Sequence, residues 1–318
     1  MRGAEIVPTD CQMPRDTSES GNGRGILLTV LATIAYAVAD TLSKFQDRDF
    51  PVLMIVWARY FVPFALVIAV YFPRRGRRLW RTAFPGVQLI RGLLLTAGTV
   101  SMIFAYRFIP LAEAQAIGFI HPVLLTLLAV AFLGEEVSTL GWVAVLLCFS
   151  GVLIIIRPGG GLFTPAALLP LGLALCYSTY QLFTRRIAGR ESAVSSLFYV
   201  MAIGTLTLTA SLPFVWVTPG VKAMFIFVLI GAMSGLGHFA MIKALEVAPA
   251  SLVAPFGYVQ LLWVGLLGWL VFGDVPGAMT LFGMGVVVAG GLLVLATRRR
   301  PPADANAKES PAKDEAQP

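Results

Sequence analysis

Residues 105–118, AYRFIPLAEAQAIG, fall without a gap on residues 244–257, ALEVAPASLVAPFG, 139 positions further along the chain. The register continues outward in both directions. Phe119 meets Tyr258, Gly134 meets Gly273, Glu135 meets Asp274 and Gly151 meets Gly290; upstream, Gly92 meets Gly231 and Gly98 meets Gly237. Both copies are apolar over lengths that suit a bilayer. A membrane unit present twice in one chain implies a carrier whose solute site lies where the copies meet.

The composition agrees. Hydrophobic residues make up 57% of the 318 residues and charged residues 13%, against about 25% charged in a soluble domain. Too few polar side chains remain to cover a water-facing surface. The net charge of +7 comes from short Arg clusters between apolar runs rather than a basic face interleaved with aromatics, so nucleic acid is not an expected partner. Cys11, Cys148 and Cys176 form neither a CxxC nor a metal spacing. No metal and no cofactor is expected.

Ten apolar stretches of spanning length, about 20 residues each, fall near 26–45, 51–72, 86–107, 110–133, 137–157, 166–186, 193–216, 221–243, 248–272 and 276–297. They divide the chain into a polar N-tail at 1–24, a first repeat at 25–157, a Gly- and Pro-rich linker at 158–165, a second repeat at 166–297 and a C-tail at 298–318. Both tails read as disordered and cytoplasmic. Lys and Arg set the orientation. With the N-terminus inside, the cytoplasmic segments carry the clusters around Arg74–Arg81, Arg185–Arg190 and Arg298–Arg300; the outer segments carry only Lys44, Arg48, Arg107, Arg157 and Lys222. Five spans per copy is an odd number, so the second copy enters the membrane upside down. The expected fold is an all-α integral membrane protein with ten transmembrane helices as two inverted five-helix repeats.

These residues resemble the drug/metabolite transporter superfamily, in its ten-helix type built from two EamA-like repeats. The likeness covers about residues 25–297 and is carried by Ala105–Ala116 with Leu133-Gly-Glu-Glu136 in the first copy, and by Lys243–Pro255 with Phe272-Gly-Asp274 in the second. It implies a secondary carrier of small organic solutes in a bacterial inner membrane. Relatives of this kind move amino acids, S-adenosylmethionine, riboflavin, metallophores and drug-like cations, some inward and some outward.

An ionisable side chain in the bilayer core costs roughly 2.5–3.5 kcal/mol, so it faces a cavity or a partner. Asp40 and Lys44 stand four apart on span one, the favourable acid-first pairing. Arg59, beside Trp57 and Tyr60 on span two, either snorkels outward or pairs with Asp40. Arg91, one turn into span three after Gln88, reads as a head-group anchor beside Arg81. Glu113, Gln115, Phe119 and His121 belong to span four. His121 falls on Gln260, polar against polar, and the two would meet near the pseudo-two-fold axis; His238 on span eight falls on Thr99. A shift of 141 places Tyr36 on Tyr177, Asp40 on Gln181 and Lys44 on Arg185, which adds spans one and six, with Tyr180, to the path. The candidate solute site is therefore Tyr36, Asp40, Trp57, Arg59, Thr99, Gln115, Phe119, His121, Tyr177, Tyr180, Gln181, His238, Tyr258 and Gln260. Asp40, Glu113 and His121 are the candidates for proton coupling.

An intramembrane enzyme would rest on Ser234-Gly235 and His238, but nucleophile and base one turn apart on a single helix do not converge as such pairs do. The expected function is a proton-coupled or facilitative carrier working by alternating access. Its solute is an amino acid or a flat, weakly charged molecule such as riboflavin; the alternative is export of drug-like cations or of a metallophore. Partners are the solute and the bilayer, with protons and a homodimer compatible.

Overall fold

The structure, a computed structural model, describes residues 19–76, 80–133, 139–156, 164–187, 190–191, 193–248 and 256–297. The expected linker at 158–165 up to residue 163, the C-tail, the N-tail up to residue 18 and Glu135 lie outside the described residues. The described residues form α1 (Glu19–Gln46), α2 (Val52–Arg75), α3 (Pro85–Ala105), α4 (Leu111–Gly118), α5 (His121–Leu133), α6 (Thr139–Ile156), α7 (Leu168–Ile187), α8 (Ala193–Thr209), the short α9 (Leu212–Val215), α10 (Val221–Val247), α11 (Val259–Phe272) and α12 (Ala278–Thr297), with no strand among them. The first helix starts at Glu19, inside the stretch expected as a tail, because no proline follows Pro14 to stop it before the apolar run.

Among the described residues, seven stretches are long and apolar enough to cross a membrane: Asn22–Gln46, Val52–Pro73, Pro85–Ala105, Leu111–Phe132, Thr139–Ile156, Pro165–Thr184 and Val221–Ala244. Val194–Thr209, Val259–Phe272 and Ala278–Leu293 are apolar but shorter. At about 1.5 Å per residue, the 17 residues of α8 fall short of a hydrocarbon core of about 30 Å. The start of the expected span at 248–272 lies partly outside the described residues. Leu146, Leu206, Phe225 and Leu262 stand exposed around the bundle, a surface suited to lipid rather than water.

Prolines and glycines punctuate the helices. Pro51 and Pro110 stand just before α2 and α4, and Pro85 begins α3, positions where the missing N–H costs least. The apolar stretch at 110–133 is not one helix. It breaks at Phe119–Ile120 between α4 and α5. Pro122 cannot donate to the carbonyl four residues back, and the chain turns through tighter bonds, Ile120 N to Ile117 O at 3.2 Å and Val123 N to Ile120 O at 2.9 Å. Its repeat counterpart Tyr258 is also a turn residue, directly before α11. Gly273 ends α11 with φ +72°, a left-handed conformation that a side chain resists.

The helices pack across the two halves in matching pairs. α1 lies on α10 as α3 lies on α7; α2 lies on α10 as α8 lies on α3; α1 lies on α11 as α7 lies on α4 and α5; α2 meets α8, and α6 meets α12. Exchanging the halves maps this set onto itself. The close approaches obey the same exchange. A Cβ on Gly92 would meet Ile203 and one on Gly231 would meet Val62, and Val62 and Ile203 are themselves 141 apart. At two places a residue touches its own counterpart: Cys148 Sγ donates to Val287 O at 3.5 Å, and the rings of Phe119 and Tyr258 lie 5.4 Å apart.

The α6–α12 seam is a close backbone contact of the same kind. A Cβ on Gly151 would lie 2.8 Å from Val287 N and 3.0 Å from Gly283 O, backbone atoms that cannot rotate away. Overpacking a fitted core typically costs about 1–3 kcal/mol. Gly151→Val is therefore expected to lower the melting temperature of the purified protein by several degrees. Gly285→Ala, on the same α12 but with open space at its Cβ, is expected to leave it unchanged. An unaltered melting temperature in Gly151→Val would show that the seam is looser than described.

Candidate functional site

Asp40 is the hub of the interior. It sits in the C-terminal third of α1 with its residue 4% exposed, where a lone carboxylate would be costly. Its two oxygens are occupied. Oδ1 accepts from Arg59 Nη1 at 2.6 Å, and Oδ2 accepts from Gln115 Nε2 at 2.7 Å and from Gln260 Nε2 at 3.2 Å. Gln115 also lies 2.7 Å from the hydroxyl of Tyr106. Arg59 and Gln115 come from the same half as Asp40, on α2 and α4; Gln260 comes from the other half, on α11. The Asp40–Arg59 ion pair is charge-assisted and nearly dry, its side chains 6% and 13% exposed.

The i,i+4 pairing of Asp40 with Lys44 is not what forms. Lys44 lies nearer the end of α1 and reaches Asp274 beyond α11, Nζ to Oδ2 at 2.8 Å, with side chains 14% and 34% exposed. A long amphipathic stem favours the wetter partner, while the buried Asp40 takes the guanidinium that cannot reach water. Arg59 therefore does not snorkel.

A second cross-half contact stands beside this one. Tyr36 on α1 shares a hydrogen bond with His238 Nδ1 on α10 at 3.0 Å, the rings meeting edge-on at 5.2 Å. Gly237 makes the approach possible, since a Cβ there would lie 2.6 Å from the Tyr36 ring. His238 is thus engaged by Tyr36, and Ser234, buried on the same helix, is not its partner. Tyr36 lies within electrostatic reach of Asp40, Arg59, Tyr177 and Tyr180.

The other expected residues divide between this cluster and its surroundings. Tyr177 and Tyr180 stack at 5.8 Å, and His121 meets Tyr177 at 4.8 Å. His121 and Gln260, expected to meet near the pseudo-axis, have different partners: Gln260 bonds Asp40, and the counterparts in contact are Phe119 and Tyr258. The break at Phe119–Ile120 turns the histidine ring toward α7. Thr99 bonds Tyr60, the two oxygens 3.0 Å apart. Trp57 turns away to α8, where Nε1 donates to Thr209 at 2.9 Å and the indole stacks on Phe61. Gln181 is half-buried and joins no hydrogen bond among the described residues. Glu113 accepts from Thr280 Oγ1 at 3.1 Å. Glu113 and Asp274 line a cavity of about 290 Å³ with Pro110, Ala112, Gly273 and Pro276.

Arg91 is no head-group anchor. It is 2% exposed and bonded inward, Nη1 to Gln88 Oε1 at 2.5 Å, Nε to Thr184 Oγ1 at 2.9 Å and Nη2 to the Tyr180 hydroxyl at 3.5 Å. Tyr106, Gln88 and Thr184 escape sequence reasoning. Tyr106 stands beside Arg107 at a span end, and the repeat pairs it with Leu245, so no signal marked it.

Residues 23–157 and 164–296 each match the model of the EamA-like transporter family. The chain is 24% identical over 276 residues to an S-adenosylmethionine uptake transporter of Rickettsia bellii, covering 87% of this chain and 94% of that one. It is 29% identical to a riboflavin transporter of Vibrio cholerae, over 83% and 90% of the two chains. It is 27% identical to the pseudopaline exporter CntI of Pseudomonas aeruginosa, over 85% and 93%. A crystal structure of a protein 20% identical in sequence superposes with a TM-score of 0.63, covering 87% of this chain and 98% of that chain, a likeness of fold.

Proposed function

This chain belongs to the EamA-like transporter family, and from that premise we propose how it carries its cargo, a small organic metabolite. Ten spans form two inverted five-helix repeats in a bacterial inner membrane, with both termini cytoplasmic. The solute binds between the halves at the Asp40 cluster and is released to either side by alternating access. The exchange of packing partners between the halves and the clustering of Lys and Arg support this arrangement.

The observation that carries the reading is the division of partners around Asp40. Arg59 and Gln115 hold it from its own half; Gln260 and the Tyr36–His238 bond tie that hub to the other half. Rocking one half against the other breaks the second set and leaves the first intact. A solute with hydrogen-bonding groups replaces the broken bonds, so that bound and empty forms both have low barriers. The aromatic residues around the hub favour a zwitterionic or flat solute, an amino acid or a molecule such as riboflavin or S-adenosylmethionine, stacking on Tyr177 and Tyr180. Movement is facilitative or coupled to protons through Asp40, Glu113 or His121.

The test is a melting-temperature screen of the detergent-purified protein against amino acids, riboflavin, S-adenosylmethionine, nucleosides and organic cations, followed by flux in proteoliposomes in both directions. One chemical class is expected to raise the melting temperature with dose, as mass action requires, and to be the class that is carried. The likeness to the pseudopaline exporter CntI supports a second reading, export of a metallophore, which outward flux of such a compound without inward flux would establish. No shift and no flux with any class would reject the solute reading.

A further inference from the structure

Arg91 sits inside α3 as a cation held by neutral groups. Gln88 on its own helix and Thr184 and Tyr180 on α7 accept from three of its five N–H groups, and Gln88 in turn bonds Ser196 on α8 at 3.3 Å. Among the described residues no carboxylate lies within salt-bridge distance of it. Its guanidinium lies over the Tyr180 ring at 5.0 Å. A buried charge of this kind is costly without an opposite charge, and a guanidinium that spends one N–H on each of three bonds keeps two more with which to donate to a carboxylate.

From Arg91 a row of rings leads to the seam of the two halves. Tyr180 stacks on Tyr177 at 5.8 Å with planes 22° apart; Tyr177 meets His121 at 4.8 Å; His121 meets Phe119 at 5.8 Å. Along that row His121 Nδ1 is a buried nitrogen with no hydrogen-bond partner among the described residues. By contrast the charges of Asp40 and Arg59 cancel each other. Among the described residues Arg91 is thus a buried cation with no carboxylate partner, at the end of a row of rings in which Tyr180 and Tyr177 are nearly parallel and His121 stands edge-on to Tyr177 at 78°, with the unsatisfied His121 Nδ1 along it.

Resting on the reading of the chain as a solute carrier, we propose that Arg91 is the anion-binding end of the solute site. It takes the carboxylate of a solute whose planar ring lies along Tyr180 and Tyr177, with the polar edge of that ring at His121. This narrows the cargo to a molecule that carries both a ring system and a carboxylate, and it gives the site a direction.

Two probe pairs isolate the carboxylate: S-adenosylmethionine with its decarboxylated derivative, and tryptophan with tryptamine. Binding to the purified full-length protein is measured by calorimetry and by melting temperature. The carboxylate member of at least one pair is expected to bind the wild type about tenfold or more tightly than its partner, the scale of one charge-assisted bond. In Arg91→Gln that preference is expected to vanish while binding of the decarboxylated member is kept, which also shows that the variant is folded. Arg91→Lys is expected to retain part of the preference. Inorganic phosphate, a charge with no ring, is expected to produce no shift at the same concentration. Equal binding of both members to the wild type, a preference surviving in Arg91→Gln, or an equal response to phosphate would overturn the assignment of Arg91 and leave the carrier reading standing. So would silence from all four probes when flux assays find another carried solute. Silence in binding and flux alike would remove both.

Discussion

Asp40→Ala is expected to abolish flux, by at least about a hundredfold, and to lower the melting temperature sharply. The carboxylate accepts from Arg59, Gln115 and Gln260 at once, and its removal leaves the guanidinium of Arg59 buried with no counter-charge. Breaking a buried ion pair on one side costs about 3–5 kcal/mol, whereas replacing both partners by apolar groups of similar volume is often neutral. The two effects are separable. The double variant Asp40→Leu with Arg59→Met is expected to recover most of the melting temperature while flux stays lost. If Asp40→Ala keeps wild-type flux, the hub is a structural ion pair and the solute passes elsewhere. If the double variant regains flux together with stability, the pair serves folding alone.

The next largest effect is expected at the opposite kind of site, the half-wet bridge between Lys44 and Asp274. As a stabilising contact it is small, since a partly exposed pair contributes about 1 kcal/mol or less. It nevertheless joins α1 of one half to the end of α11 in the other, beside the cavity lined by Glu113 and Asp274. Lys44→Glu turns attraction into repulsion at that point, and a change of about 1.4 kcal/mol moves a two-state equilibrium tenfold. The expected readout is accessibility. With Ala112→Cys as the only thiol, Lys44→Glu should raise its labelling rate by a membrane-impermeant maleimide roughly tenfold, and it should slow transport. Adding Asp274→Lys restores the pair with its charges exchanged and should bring both values back. Labelling that ignores both changes would mean that the bridge does not hold this end shut.

The repeat was legible because duplication leaves small and special residues at a constant offset. Gly151 and Gly290 are recognisable in the sequence for the same reason that they matter in the fold: backbones cross there, and nothing larger fits. Phe119 and Tyr258 likewise align in sequence and touch in space. The partners of charged groups were harder to read. Local spacing pairs Asp40 with Lys44, but burial decides the matter, and burial depends on which face of α1 meets α10 and α11. Arg91 was misplaced by the same route: its distance from the end of the helix fits a lipid-facing anchor, while Thr184 and Tyr180, which hold it inward, lie on a helix with no sequence link to it. The break in the fourth span was half visible, since Pro122 announces a kink but not the turn that swings His121 toward Tyr177.

Cys148 against Val287 and Phe119 against Tyr258 mark places where each half faces its own twin. An assembly of two identical subunits would be bound by that geometry: every acid contributed by one subunit would appear again across the centre. Joining both halves in a single polypeptide lifts the constraint. Asp40 can stand alone, with the uncharged Gln181 at the corresponding point, and Arg91 can stand opposite the aliphatic Ile230. Covalent fusion thereby lets the two halves present unlike groups to one another, so that on the proposed carrier reading the two ends of an asymmetric molecule would meet different partners.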